Sequence, residues 1–358
     1  MKIKESVTLA PLTTLNVGGP ARYFVEAKTI SDIEEAIKFA KDKNLPVFIL
    51  SGGSNILVSD DGFDGLVILN RIAGFKSEIR GDKVILTIGA GENWDATVAK
   101  SVENNWAGLE LMSGIPGSVG AAPVQNIGAY GAEVSSVIKK VKAFDLKTNK
   151  VVEFSKVDCE FSYRKSIFNS EEKGRYVILE LMLELMPALI QEQKNLNYHD
   201  LQEYFKNKPN PTLKEIRQAV IEIRAGKGYV IMPGYKSYKT AGSFFKNPVV
   251  SQKEFEGIKN IIGENDSKWF WPQNPPAGGV KVAAAKLMEK AGFGKGHKEG
   301  NVGISPKHSL SLINLGRGTA KDLVNLAGKI IKGVYNKFHI RLETEVILIG
   351  FTKNPFKS

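Results

Sequence analysis

Residues 114–131 read GIPGSVGAAPVQNIGAYG and carry no charged side chain, in a chain whose 358 residues are 24% charged. Glycine costs conformational entropy, so a cluster this dense is kept where a Cβ would collide with a ligand or where φ must be positive. A buried loop with two tight turns is the plain alternative for any one of these glycines. A second run, Ser51-Gly52-Gly53-Ser54-Asn55, follows the apolar segment Val47-Phe48-Ile49-Leu50, which reads as a short buried strand. A strand feeding such a turn presents successive backbone N–H groups and hydroxyls, the equipment of an anion nest suited to a pyrophosphate. Neither run contains GxGxxG opening a helix, and no GxxxxGK[ST] follows an expected strand, which disfavours a Rossmann domain and a P-loop. What remains is a phosphate loop at 51–55 and an apolar platform at 114–131, the two halves a flavin dinucleotide requires.

Composition narrows the function classes. With 49 Lys and Arg against 38 Asp and Glu the formal charge is +11, which suits polyanionic partners. The lysines are scattered along expected helix faces, and no recognition helix, zinc finger or RNP string occurs, so nucleic acid is not an expected partner. The one cysteine, Cys159, excludes an internal disulfide and a cysteine-built metal site, and the four histidines form no HxxxH pair, so no metal is expected. The N-terminus lacks a continuous apolar segment and no run is long enough to span a bilayer; the expectation is a cytoplasmic monomer without membrane insertion.

Local patterns predict an α+β chain. A helix is expected over 31–44, capped by Ser31 and Glu34, with strands at 47–50, 66–70 and 84–88, and a helix over 93–105. A hairpin joins 137–144 to 150–154, and 176–185 is a further strand. Residues 195–211 read as a loop or an inserted flap, 212–227 as a helix with Thr212 and Glu215 in a capping box, and 228–240 as a hinge or exposed loop. A Phe-Phe strand after Ala241, a helix from Ser251, a helix over 280–290, a strand at 310–314, a long helix from Thr319 and a closing strand at 341–351 complete the chain. Short mixed strands without regular βαβ alternation argue against a doubly wound sheet.

Four further strings stand in order: Tyr163-Arg164 in FSYRKSIF, Tyr198 in LNYHD, Ser243 in AGSFFKNP and Glu345 in RLETEV. Singly, each has an ordinary explanation as a surface ion pair or an exposed strand position. Together with the glycine platform, from Leu12-Thr13-Thr14-Leu15 to the last strand, they resemble the UDP-N-acetylenolpyruvoylglucosamine reductase family, and the branch with an extra tyrosine-bearing loop. One departure is Lys239-Thr240 before AGSFF, where that branch has Gly-Asn; the loop at 228–238 is also longer.

The resemblance implies a two-part FAD-binding region of the vanillyl-alcohol-oxidase/PCMH type and a C-terminal α+β substrate domain. Its expected divisions are 1–75 and 76–227 for FAD, the latter joined by the closing strand within 340–358, and 228–339 for substrate. It implies FAD and NADPH as cofactors and a UDP-sugar substrate. FAD contacts are expected from Ser51, Gly52, Gly53, Ser54, Asn55, Ile115, Pro116, Gly117, Ser118, Gly120, Ala121, Gln125, Asn126, Ile127 and Gly128. Arg164 matches the arginine that clamps the substrate carboxylate, Glu345 the glutamate beside it, and Ser243 the proton donor. Tyr163, Tyr198, Lys227 and Asn247 match substrate-binding positions, and Lys227 is equally suited to the C-terminal end of its helix. A different FAD-dependent oxidase or dehydrogenase of the same fold is the alternative; no His or Cys in either glycine run offers a covalent flavin link there.

Overall fold

The apolar alternation of residues 176–187 produces a 12-residue strand, Tyr176–Pro187, in the computed structural model. The structure describes residues 1–188, 196, 198–232, 234–263, 269–272 and 278–357. These fall into two units: Met1–Val7, Ala21–Gly53 and Asp64–Ser237 make one, and Thr8–Pro20, Ser54–Phe63 and Tyr238–Ser358 the other.

In the first unit Tyr176–Pro187 is central to a sheet ordered Lys150–Ser155, Ile138–Asp145, Tyr176–Pro187, Lys83–Gly89, Phe75–Arg80, all antiparallel. The predicted hairpin is present, with Asp145 opposite Lys150 and Lys140 opposite Ser155. Val177 and Leu179 pack on one face with Phe144, whereas Ile178, Leu181, Leu183 and Leu185 pack on the other with Val84, Leu86 and Ile88. That change of parity between 178 and 181 coincides with a register irregularity at Lys142/Ala143, the signature of a bulge.

Each face is covered by a different part of the chain. Helix α1 (Ile30–Asp42) buries Ile33, Ala36, Ile37 and Ala40 in the cluster holding Phe144, and the parallel strands Val47–Leu50 and Phe63–Asn70 supply Leu66 and Ile68. Helix α2 (Trp94–Glu103) lays Trp94, Val98 and Val102 on the other face. A fully buried aliphatic side chain contributes about 1.5–3 kcal/mol, so these two clusters hold the sheet in place. α1 is capped two residues earlier than expected: Thr29 and Asp32 form the capping box, because Asp32 rather than Glu34 reaches back to the N-cap N–H.

Residues 195–211 are not all loop. Helix α3 (His199–Tyr204) forms there because Leu201 and Phe205 find an apolar cluster with Ile216, Ala219 and Val220 of α4 (Leu213–Gly226); residues 195 and 197 lie outside the described set. The capping box of Thr212 and Glu215 is present as predicted.

In the second unit α5 (Gln252–Ile262), α6 (Ala284–Lys290) and α7 (Ala320–Phe338) surround a core that includes Phe244, Phe245, Leu287, Leu312 and Ile330. The helix expected over 280–290 starts only at Ala284. Its first residues form the strand Val280–Val282, paired on both sides by Val249–Val250 and Phe270–Pro272, where two β-branched valines favour extension. The closing strand is shorter than expected, Ile347–Ile349, and pairs in parallel with Ile56–Val58 of the same unit rather than joining the sheet of residues 76–227. Phe244-Phe245 makes no strand either: a single bridge, Phe245 to Thr344, is formed.

Candidate active site

The first glycine run lies directly on the second. A Cβ on Gly52 would fall 2.4 Å from Gly117 Cα and 2.9 Å from its carbonyl carbon, so only glycine allows these two backbones to meet. Gly117 itself has φ +128°, outside the range of other residues. Beside that contact the hydroxyls of Ser51 and Ser118 are hydrogen-bonded. The density of glycine is thus explained in part by the protein's contact with itself, which sequence alone could not separate from contact with a ligand.

The platform is pinned from behind. Gly117 C=O accepts from Trp94 N at 3.1 Å, Val119 N donates to Glu92 C=O at 2.9 Å and Gly120 N to Ala90 C=O at 2.8 Å. Ile115, Pro116, Gly117, Ala121, Gln125, Ile127 and Gly128 remain partly exposed along it, while Ser118, Gly120 and Asn126 are buried. The Asn126 amide is committed inside the protein, donating to Glu133 Oε2 (2.8 Å) and Ser162 C=O (3.1 Å) and accepting from Ser135 N (3.1 Å), so its side chain shapes the loop.

Tyr163 and Arg164 form the tip of a two-residue turn closed by reciprocal 3.0 Å bonds between Ser162 and Lys165. Arg164 has φ +56°, a left-handed conformation rare for a long side chain and a mark of sites where position outweighs strain. Its Nη2 donates to Gly128 C=O at 3.3 Å, tying the turn to the platform.

Helix α4 ends at Lys227, whose ammonium lies 5.8 Å from the Tyr130 ring and 6.0 Å from the Tyr198 ring. Those two rings meet edge to face at 5.1 Å. α4 is fixed to the start of the platform through Asp95, which receives Arg217 bidentately at 2.7 and 2.8 Å and Gly114 N at 2.6 Å. Burial would raise the Asp95 pKa, but Arg217 and the Gly114 amide outweigh it and hold the carboxyl below its ordinary value.

Arg224 was not singled out by the sequence reading. Its Nε is buried and has no hydrogen-bond partner. A Cβ on Gly114 would lie 3.3 Å from that atom. Burial lowers its pKa, and the charge of Arg164 lowers it further, against Tyr130, Tyr229 and Asp95. A buried guanidinium N–H without an acceptor is costly, and an anionic group on a ligand would offset that cost. The signal was available: Arg224 stands four residues after buried Val220, on the apolar side of an otherwise amphipathic helix. Hydroxyls and backbone at 51–53 and 115–128, with Arg224 beside Gly114, form a donor set that fits FAD.

In the second unit, hydrogen bonds from Glu345 N to Phe244 C=O and from Lys246 N to Glu343 C=O, both 2.9 Å, bring Ser243 and Glu345 to neighbouring positions on paired segments. Asn55 braces the same place: its Nδ2 donates to Glu345 C=O at 3.2 Å and its C=O accepts from Ile347 N at 3.0 Å. Asn247 Oδ1 accepts from Ala284 N at 3.0 Å and caps α6. Among the described residues no group of three His, Cys, Asp or Glu is placed to hold a metal, and no helix is long and apolar enough to cross a membrane.

Residues 21–155 match the protein family described as FAD binding domain, and residues 234–349 the family described as UDP-N-acetylenolpyruvoylglucosamine reductase, C-terminal domain. The chain is 39% identical over 346 residues to the UDP-N-acetylenolpyruvoylglucosamine reductase of Streptomyces coelicolor, covering 96% of this chain and 89% of that one. The chain belongs to the UDP-N-acetylenolpyruvoylglucosamine reductase family. A relative of the same name from Nocardia farcinica is 39% identical over 353 residues, covering 97% and 90%. The crystal structure of the Thermus caldophilus reductase matches 98% of this chain and 99% of its own, with 25% identity and a TM-score of 0.64. The fold is therefore α+β, an FAD-binding domain and the reductase C-terminal domain, and the chain is an FAD-dependent oxidoreductase of peptidoglycan precursor synthesis.

Proposed function

We propose that this protein uses NADPH to reduce UDP-N-acetylenolpyruvoylglucosamine to UDP-N-acetylmuramate. The observation that carries the reading is Arg164, a guanidinium held in a left-handed turn tip and tied to the platform through Gly128. FAD, when bound, supplies the hydride, having received it from NADPH. Residues 51–55 and 115–128 would hold it, the serine hydroxyls and backbone N–H groups of the first run serving its pyrophosphate.

Hydride arriving at the vinyl CH₂ of the enolpyruvyl ether leaves carbanion character on the carbon bearing the carboxylate. Arg164 clamps that carboxylate with a bidentate fork and stabilises the enediolate form of the charge. Ser243 Oγ gives its proton to the carbanion; a hydroxyl is a weak acid, but a carbanion is base enough to take the proton at hydrogen-bond distance. Glu345, protonated or balanced by a guanidinium, supports the carboxylate without repelling it. Lys227 and Asn247 Nδ2 bind the diphosphate, Tyr163 lines the substrate, and Tyr198 closes over the nucleotide. Residues 1–75 and 76–227 serve FAD, and residues 228–339 the substrate. The protein works as a monomer in the cytoplasm, where sugar nucleotides and NADPH are made.

The test is product analysis. Incubation with NADPH and the enolpyruvyl nucleotide in heavy water is expected to yield the lactyl ether with solvent deuterium on the carbon next to the carboxylate. NADPH consumption without that product would refute the assignment and favour another FAD-dependent oxidase or dehydrogenase.

A further inference from the structure

The lysine assigned to the diphosphate already has an anion. Lys227 Nζ and Asp200 Oδ2 are 2.5 Å apart, with each side chain 33% exposed. Asp200 belongs to the first turn of α3, directly after Tyr198, and α3 is anchored by fully buried Leu201. His199 Nδ1 lies 3.9 Å from the other Asp200 oxygen, so a second cation reaches the carboxylate only when that imidazole is protonated. A carboxylate oxygen at this distance takes one of the ammonium's three N–H donors and offsets the charge that would draw a phosphate oxygen.

We propose that Asp200 is an internal competitor for the substrate diphosphate and sets the affinity of Lys227 for it. The inference rests on the reading of Lys227 as a diphosphate ligand. While the pair is intact, the Lys227 charge is neutralised and the Tyr198 segment is tied to the end of α4. A diphosphate that takes Lys227 displaces the carboxylate, so its arrival releases α3's first turn and the Tyr198 ring from the Lys227 ammonium. A single weak anion gains too little from one lysine to break the pair, whereas a diphosphate brings more charge; Asp200 thereby favours nucleotide diphosphates over simple anions. Asp200 is a positioning residue, since it acts on the ligand through Lys227.

The experiment is calorimetric titration of UDP into the FAD-loaded full-length protein, its Asp200→Asn and Asp200→Ala variants, Lys227→Ala, and the double variant Asp200→Asn with Lys227→Ala, at one ionic strength. Half-exposed ion pairs of this kind shift equilibria by up to about fivefold, so Asp200→Asn is expected to tighten UDP binding by about that factor and Asp200→Ala by at least as much. Lys227→Ala should weaken binding about tenfold, and the double variant should bind like Lys227→Ala alone. If neither Asp200 variant tightens binding while Lys227→Ala weakens it, the competitor role is wrong and Lys227 keeps its assignment. Equal tightening in the Lys227→Ala background would overturn the claim that Asp200 acts through the lysine. Unchanged binding by Lys227→Ala would remove the Lys227 reading and this inference with it.

Discussion

Replacing Gly52 by alanine tests how the two glycine runs make one surface. The added Cβ would sit 2.4 Å from Gly117 Cα and 3.1 Å from Ser118 N, where ordinary contact begins at 3.4 Å, so one backbone must move by about 1 Å. Gly117 cannot simply retreat, because its carbonyl holds Trp94 N at 3.1 Å and the next residues are bonded to Glu92 and Ala90. Overpacking of this kind costs about 1–3 kcal/mol. For a unit of this size each kcal/mol lowers the melting temperature by about 2–4 °C, giving a fall on the order of 2–12 °C. The same shift separates Ser51 from Ser118 and deforms the proposed pyrophosphate loop, so flavin retained through purification should fall as well. Thermal melts and the ratio of flavin to protein absorbance read both effects. A variant that melts within 1 °C of the parent and keeps its full flavin would show that the backbone contact does not shape this site.

Other expectations follow from individual residues. Ser243→Ala should leave reduction of the flavin by NADPH nearly intact and slow its reoxidation by substrate by about 10²- to 10⁴-fold; stopped-flow absorbance showing both half-reactions slowed equally would contradict the proton-donor role. Two glycines of α7 should respond oppositely to alanine. Gly328 faces open space and its replacement should stabilise by about 0.5–1 kcal/mol, whereas a Cβ on Gly333 would meet the Phe293 ring at 2.6 Å and should destabilise, as denaturant titration would report. Burial pushes the Cys159 thiol up to about 12, so it should resist a disulfide reagent at pH 8 in the folded protein and react once unfolded. Because the unfolded thiol ionises near its ordinary value of about 8.5, this residue should make stability fall as pH rises from there toward 12, and a Cys159→Ala variant should lose that slope.

Much of this was legible in the chain because local patterns and tertiary packing agree. The Lys150–Ser155 hairpin strand, α4 with its capping box and the long α7 each carry a periodicity and an end signal that the packing reinforces. Val280–Val282 was misread because its apolar residues also continue the helical period of α6; pairing with strands on both sides decided the matter, and that information is not local. α3 was missed because it is only six residues long and is stabilised by Leu201 against α4 rather than by its own propensity. At the site, the ordered strings named Arg164, Ser243 and Glu345, but not the left-handed backbone of Arg164, the buried Nε of Arg224 or the carboxylate already seated on Lys227. Each of those depends on which neighbours the fold supplies.

The most direct test of the central claim is an anaerobic absorbance titration of the purified protein. NADPH should bleach the oxidised flavin spectrum, and UDP-N-acetylenolpyruvoylglucosamine added without oxygen should restore it at once. Flavin that bleaches but recovers only when air is admitted would contradict the assigned acceptor, and a protein that takes up no FAD would contradict the account as a whole.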